Sequence, residues 1–171
     1  MKNLVVGFFS LVCAVAVADD IRYAKPDGDD TKGDGLSWAT AYASPQVAVD
    51  NCPAGGIVYL AEGVYSNKPP TVANSAFLSI EKNIKVYGAG RDKTILKPKD
   101  ATLAYGIFLR YGTAEVHDLT LRNGTTTMLR QTGGGVVENC RLTGYYSTRQ
   151  RDFPYGVVWF GNWGTLYRCV I

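Results

Sequence analysis

Val116-His117-Asp118-Leu119-Thr120-Leu121, Val137-Glu138-Asn139-Cys140-Arg141-Leu142 and Leu166-Tyr167-Arg168-Cys169-Val170-Ile171 superpose as one pattern, apolar-x-x-apolar-x-apolar. The copies recur at spacings of 21 and 29 residues. A short motif that returns at irregular spacing suits a chain that goes once around and lands on itself, with a bend after the first apolar residue and insertions between copies. Neighbouring coils then lie about 4.8 Å apart, strands run parallel, and the inward residues form one continuous core. In this reading Val116, Leu119 and Leu121 point inward, Thr120, Arg122, Arg141 and Thr143 point outward, and His117 is a polar residue of the bend.

Working backward from the repeat, short β-rich pieces are separated by Gly, Asn, Pro and Asp: Ile57 to Leu60, Phe77 to Ile80, Ile84 to Tyr87, Thr94 to Leu96 and Ile107 to Leu109. One segment reads as a helix. Ser44 is its N-cap, Pro45 takes the first helical position, and Pro53 with Gly55-Gly56 stops it after Cys52. Pro45, Ala48, Val49 and Cys52 follow i, i+3, i+4, i+7 and make an oily stripe that has to cover something. A stack of coils needs its open end hidden, and this helix is placed to hide the front one. The predicted architecture is therefore all-β: a right-handed parallel β-helix with a short N-terminal capping α-helix, the capping segment at about residues 19–56 and coils from about 57. Ile171 ends within a repeat, so a longer protein is expected.

The first residues have a secretory layout, with Lys2, an apolar run from Leu4 to Val17 and Ala16-Val17-Ala18 before two aspartates. A run of 14 apolar residues falls short of the roughly 20 that a spanning helix needs. A cleaved signal at 1–18 and a secreted or cell-surface protein are expected, with no membrane span in the mature region. The remaining 17 basic and 15 acidic groups are too balanced for a nucleic-acid partner. They are unevenly placed, however, because residues 101–171 carry seven basic groups, all Arg, against four acidic ones. An anion-binding surface should lie there. Cys52, Cys140 and Cys169, with one histidine and no C-x-x-C pair, do not make a zinc site. Cys140 and Cys169 share an inward position in successive copies and read as a buried thiol ladder rather than a disulfide.

Tyr23-Ala24-Lys25-Pro26-Asp27-Gly28-Asp29-Asp30, Gly35-Leu36-Ser37-Trp38-Ala39-Thr40-Ala41, the helix, Val58-Tyr59-Leu60-Ala61-Glu62-Gly63-Val64-Tyr65 and Val86-Tyr87-Gly88-Ala89-Gly90-Arg91-Asp92-Lys93-Thr94-Ile95-Leu96 resemble the exported right-handed parallel β-helix proteins of the pectate-lyase-like superfamily. The resemblance spans nearly the whole mature chain and implies that fold with its N-terminal cap. It leaves activity open, because the superfamily includes polysaccharide lyases, glycoside hydrolases and adhesins. The polygalacturonase pattern of Asn-Thr-Asp, Asp-Asp and Gly-His-Gly does not occur in the later part of the chain.

Three groups of residues are candidates for chemistry. Asp27, Asp29, Asp30 and Asp34 gather among glycines in the manner Ca²⁺ prefers, although an ordinary Asp-rich turn explains them as well and the EF-hand spacing is not met. No other cofactor is indicated. Arg122 and Arg141 would be diagonal neighbours on one outer face, able to grip the carboxylate of a uronic-acid polymer, or to be plain solvated charge. In a lyase they would neutralise that acid and help remove the adjacent proton. Finally, Arg149, Arg151, Tyr155, Trp159 and Trp163 belong to an aromatic and Arg-rich stretch that reads as a saccharide platform, with part of it committed to the core. The expected function is binding, with cleavage open, of an acidic extracellular polysaccharide by a monomer. The alternative is a non-catalytic adhesin or stalk on the same β-helix.

Overall fold

The computed structural model describes residues 20–66, 76–99, 105–123, 127–144, 157–161 and 163–171. The apolar leader at 1–18 lies outside the described residues. Three sheets, all parallel, carry the described strands. Sheet A holds β1 (Ile21–Ala24), β2 (Ile57–Leu60), β5 (Lys85–Gly88), β8 (Glu115–His117), β11 (Val136–Glu138) and β14 (Thr165–Tyr167), in that spatial order. Sheet B is β3 (Gly63–Tyr65), β6 (Thr94–Leu96), β9 (Thr120–Arg122) and β12 (Arg141–Thr143). Sheet C is β4 (Ala76–Ile80), β7 (Tyr105–Leu109), β10 (Thr127–Gln131) and β13 (Val158–Phe160). From β4 onward the chain visits C, A and B in turn and then repeats, an arrangement that fits a parallel β-helix. Among the described residues no helix is long and apolar enough to cross a membrane.

The register makes columns of like residues, which is why the repeat folds this way. Val58, Val86, Val116 and Val137 stand in line across sheet A, and all four are fully buried. Tyr65, Leu96, Leu121 and Leu142 do the same in sheet B, and Leu78, Ile107 and Leu129 in sheet C. The three columns meet in one core. Val116, Leu119 and Leu121 point inward as the repeat predicts.

The bend, however, is displaced by one residue from the expected place. Asp118, Asn139 and Arg168 carry it, with φ of 57°, 51° and 54°, the left-handed region that Asp and Asn tolerate best among residues with a Cβ. Asn139 Nδ2 donates to Asp118 Oδ1 at 2.5 Å, tying one bend to the next. His117 is the last residue of β8 and is buried, so its reading as a bend residue is corrected. Thr120 faces outward but is covered, its hydroxyl donating to the Arg91 carbonyl.

The predicted helix is α1 (Pro45–Asn51), and Pro45, Ala48, Val49 and Cys52 are buried on its inner side against β1, β2 and β4. Its entry is held differently from expectation. Ser44 has the extended N-cap backbone but its hydroxyl makes no capping bond, while Asp30 Oδ1 accepts from the backbone N–H of Ala43 at 2.8 Å and of Ser44 at 2.9 Å. Gln46 does a job that the apolar pattern hides. Its Oε1 accepts from Ser79 N–H at 2.7 Å and its Nε2 donates to Ser79 C=O at 3.0 Å, so one side-chain amide stands in for a strand at the free edge of β4. At the other end Lys82 Nζ donates to the carbonyls of Asp50 and Cys52, filling acceptors that a helix terminus leaves open.

Cys52, Cys140 and Cys169 are free thiols. Cys140 Sγ donates to Glu138 C=O at 3.2 Å and Cys169 Sγ to Tyr167 C=O at 3.4 Å, the same bond one coil apart. The side-chain hydrogen bond that Cys140 shares with Cys169, Cys140 being its donor, then burial, push the Cys140 thiol up.

Candidate functional site

The outer face of sheet A carries a column of rings. Tyr23, Tyr59, Tyr87 and His117 occupy equivalent register positions, with centroid separations of 5.9, 5.8 and 4.6 Å, and Trp38 packs on Tyr23 at 4.6 Å. The stack ends at a polar relay. His117 Nε2 lies 2.9 Å from Glu115 Oε2 and Nδ1 lies 3.5 Å from Glu138 Oε2, while Lys85 reaches Glu115 at 3.0 Å. Burial acts to raise the Glu115 carboxyl, but hydrogen bonds from Lys85 and His117 outweigh it and hold the group below its usual range. A cavity of about 320 Å³ lies alongside, lined by His117, Asp118, Glu138, Asn139 and Arg168. Carboxylates on opposite edges of the ring do not converge on one ion. The relay is satisfied from within.

That satisfaction has a pH signature. A carboxyl with a lowered folded pKa adds stability that is complete above the unfolded value, 4.5 for Glu, and disappears as pH falls through the folded value. Glu115→Gln should therefore flatten the loss of melting temperature below about pH 4.5, with a cost at neutral pH of at most ~1 kcal/mol because the pair is partly exposed. Melting curves from pH 3 to 7, compared with the parent, check this; identical acid limbs would contradict it.

Sheet C presents a different surface. Ser79, Phe108, Arg130 and Trp159 are in register across its outer face. The Arg130 guanidinium carbon sits 4.7 Å from the Tyr105 ring centre, 5.2 Å from Phe108 and 4.6 Å from Trp159, and Nη1 bonds the Tyr105 hydroxyl. Rings on several sides attract the cation through their quadrupoles, but they do not neutralise it. No carboxylate among the described residues pairs with Arg130, and its buried Nε has no partner. Arg110, next to it, is already matched by Glu81 at 3.0 Å. Arg130 is thus a cation held in place by aromatic residues with no acid partner among the described residues.

The residues expected from sequence fall on separate surfaces. Trp159 joins the Arg130 cradle. Arg122 and Arg141 are diagonal neighbours on the outer face of sheet B, since Arg141 pairs with Thr120 and Thr143 with Arg122. Arg141 Nη1 lies 2.5 Å from Asp92 Oδ1 in a partly exposed ion pair. Trp163 stands exposed at the corner between sheets C and A. Arg149, Arg151 and Tyr155 lie outside the described residues.

The four aspartates of the front loop are occupied locally. Asp29 Oδ1 accepts from Thr31 N–H, Thr31 Oγ1 and Lys32 N–H, and Asp34 Oδ1 from Leu36 N–H and Thr40 Oγ1. The Thr31 and Thr40 hydrogen bonds hold these two carboxyls below their usual range. Asp30 holds the helix entry, and Asp27 points to solvent 3.9 Å from Lys25. Among the described residues no three His, Cys, Asp or Glu side chains form a group able to hold a metal ion.

Arg130, Tyr105, Phe108 and the His117 relay were missed by the sequence reading. Register was the available signal: Tyr105 aligns with Thr127 and Phe108 with Arg130, at a spacing of 22 close to the 21 of the first two repeat copies. Compared with models of protein families the chain matches none, and no curated protein matches it.

Proposed function

We propose that the chain is an exported, right-handed parallel β-helix protein of the pectate-lyase-like kind that binds an acidic extracellular polysaccharide across the outer face of sheet C. The single observation that carries this reading is Arg130, a guanidinium fixed among Tyr105, Phe108 and Trp159 with no acid partner among the described residues. A uronic-acid unit offers the missing half, because its carboxylate suits the planar donor fork of Arg and its C–H faces suit aromatic side chains. Right-handed connection is the rule for parallel strands joined by a crossover.

The test is retention on immobilised polygalacturonate and alginate at low and moderate salt, comparing the parent with Arg130→Ala and Arg130→Lys. Loss of a charge-assisted contact predicts a roughly tenfold or greater weakening for Arg130→Ala, about 1.5–3 kcal/mol. Lys restores part of the charge but not the planar fork, so it should be intermediate. Ultraviolet absorbance of the same polymers after incubation records whether the bound chain is also cut by elimination. Equal retention of all three proteins would refute the role of Arg130, and no retention of the parent on any uronate polymer would refute the function.

A further inference from the structure

Cys140 and Cys169 follow equivalent bends one coil apart, just after Asn139 and Arg168, whose φ values are 51° and 54°. Glu138 pairs with Tyr167 on one side of them and Arg141 bridges Val170 on the other, so the register sets the two cysteines opposite each other. The backbone holds them there. Asn139 N–H donates to Tyr167 C=O at 2.9 Å, and Val170 N–H donates to Cys140 C=O at 2.9 Å. Neighbouring parallel strands lie about 4.8 Å apart, within the roughly 4.4–6.8 Å between Cα atoms that a disulfide spans. Packing alone does not demand cysteine at this position, because the first copy of the repeat fills it with Leu119.

The two thiols are chemically unequal. Cys140 is fully buried, whereas Cys169 is only partly so. The hydrogen bond that Cys140 donates to the Cys169 sulfur outweighs burial and, with the Cys140 backbone N–H, holds Cys169 below the usual thiol range. Because the thiolate is the form that attacks a disulfide, reactivity falls on the accessible member, and a second thiol waits in contact behind it. Cys52 stands apart in the front cap, buried, with its thiol directed at the Asp20 carbonyl.

We infer that Cys140 and Cys169 are an oxidisable pair, present here in its reduced form, which a low-molecular-weight disulfide converts to a disulfide between successive coils. Cys169 attacks one sulfur of the small disulfide, forming a mixed disulfide as the old S–S bond breaks and one thiolate leaves. That thiolate takes the Cys140 proton, and Cys140 attacks the Cys169 sulfur and expels the second thiolate, which is protonated by solvent. Two cysteine thiols are oxidised and one small disulfide is reduced to two thiols. The bond closes the 29-residue span between the cysteines, which carries Trp159, onto the preceding coil. The inference does not rest on the polysaccharide reading.

The experiment incubates the reduced, folded full chain with oxidised glutathione, blocks remaining thiols with iodoacetamide after unfolding in acid, and reads intact mass and a peptide map. The parent should lose the mass of two hydrogens, yield a peptide linking Cys140 to Cys169, and carry the alkyl group on Cys52; dithiothreitol should reverse the link. Cys140→Ala, which keeps a small apolar side chain in the core, should stop at one glutathione on Cys169. Cys169→Ser should take up no glutathione on Cys140. A parent that stays fully reduced, or that holds glutathione on Cys169 without forming the linked peptide, overturns the inference. So does a link made through Cys52.

Discussion

Replacing Val49 with Asp will destabilise the protein by about 3–5 kcal/mol, the range for an uncompensated charge in a buried site. Val49 is 1% exposed on the inner side of α1, packed into the same cluster as Val58, Leu60 and Leu78. Among the described residues no basic side chain is buried beside it to receive the charge. The consequence extends beyond the helix, because Gln46 on α1 pairs both backbone groups of Ser79 at the free edge of β4. Once α1 detaches, that edge is open to another chain, and self-association should accompany unfolding. Asp50→Asn is the control: the residue is exposed and an amide oxygen still accepts from Gln46 Nε2, so the change should stay within about 0.5 kcal/mol. Thermal melting with light scattering distinguishes the two. Parent-like melting of Val49→Asp without scattering would contradict the capping role of the helix.

Leu121→Ala should cost about 2–5 kcal/mol, the range for truncating a fully buried leucine. Leu121 stands between Leu96 and Leu142 in sheet B, and its Cδ2 fills the space beside Gly106, where a Cβ would overlap it. The pair gives a sharper test than either change alone. Gly106→Ala should be harmful in the parent and less harmful in the Leu121→Ala background, because the new methyl enters the space just vacated; strain against the Met128 carbonyl, 2.7 Å from that Cβ, remains. Denaturant melts of the two single variants and the double variant measure the coupling. Additive costs would mean that sheets B and C do not meet at this point.

Both positions were legible because apolar spacing and turn chemistry agree there. Ser44-Pro45 and the i, i+3, i+4, i+7 stripe announce α1, and two aligned copies of the repeat place Val116 and Leu121 inward without ambiguity. The bend was harder to place. Its left-handed position is held by Asp118 and Asn139 in the first two copies but by Arg168 in the third, so residue type hides a shared backbone state. That one-residue shift put His117 on a turn rather than under Tyr87. Sheet C was least legible because β10 turns polar Thr127 and Gln131 into the core and hides Arg130 in an aromatic cradle on its outer face. Gln46 shows the same lesson on α1, a polar residue whose burial follows from a strand edge that no helical periodicity can reveal.

The most direct measurement of the functional claim is calorimetric titration of the full chain with one polysaccharide in two forms, a uronate polymer and the same polymer with its carboxylates reduced to alcohols. With Arg130 as the acid-binding residue, the parent should prefer the acidic form by about tenfold or more, the preference should shrink as salt rises, and Arg130→Ala should bind both forms alike. Equal affinity of the parent for both forms, or a preference that survives Arg130→Ala, would contradict the account.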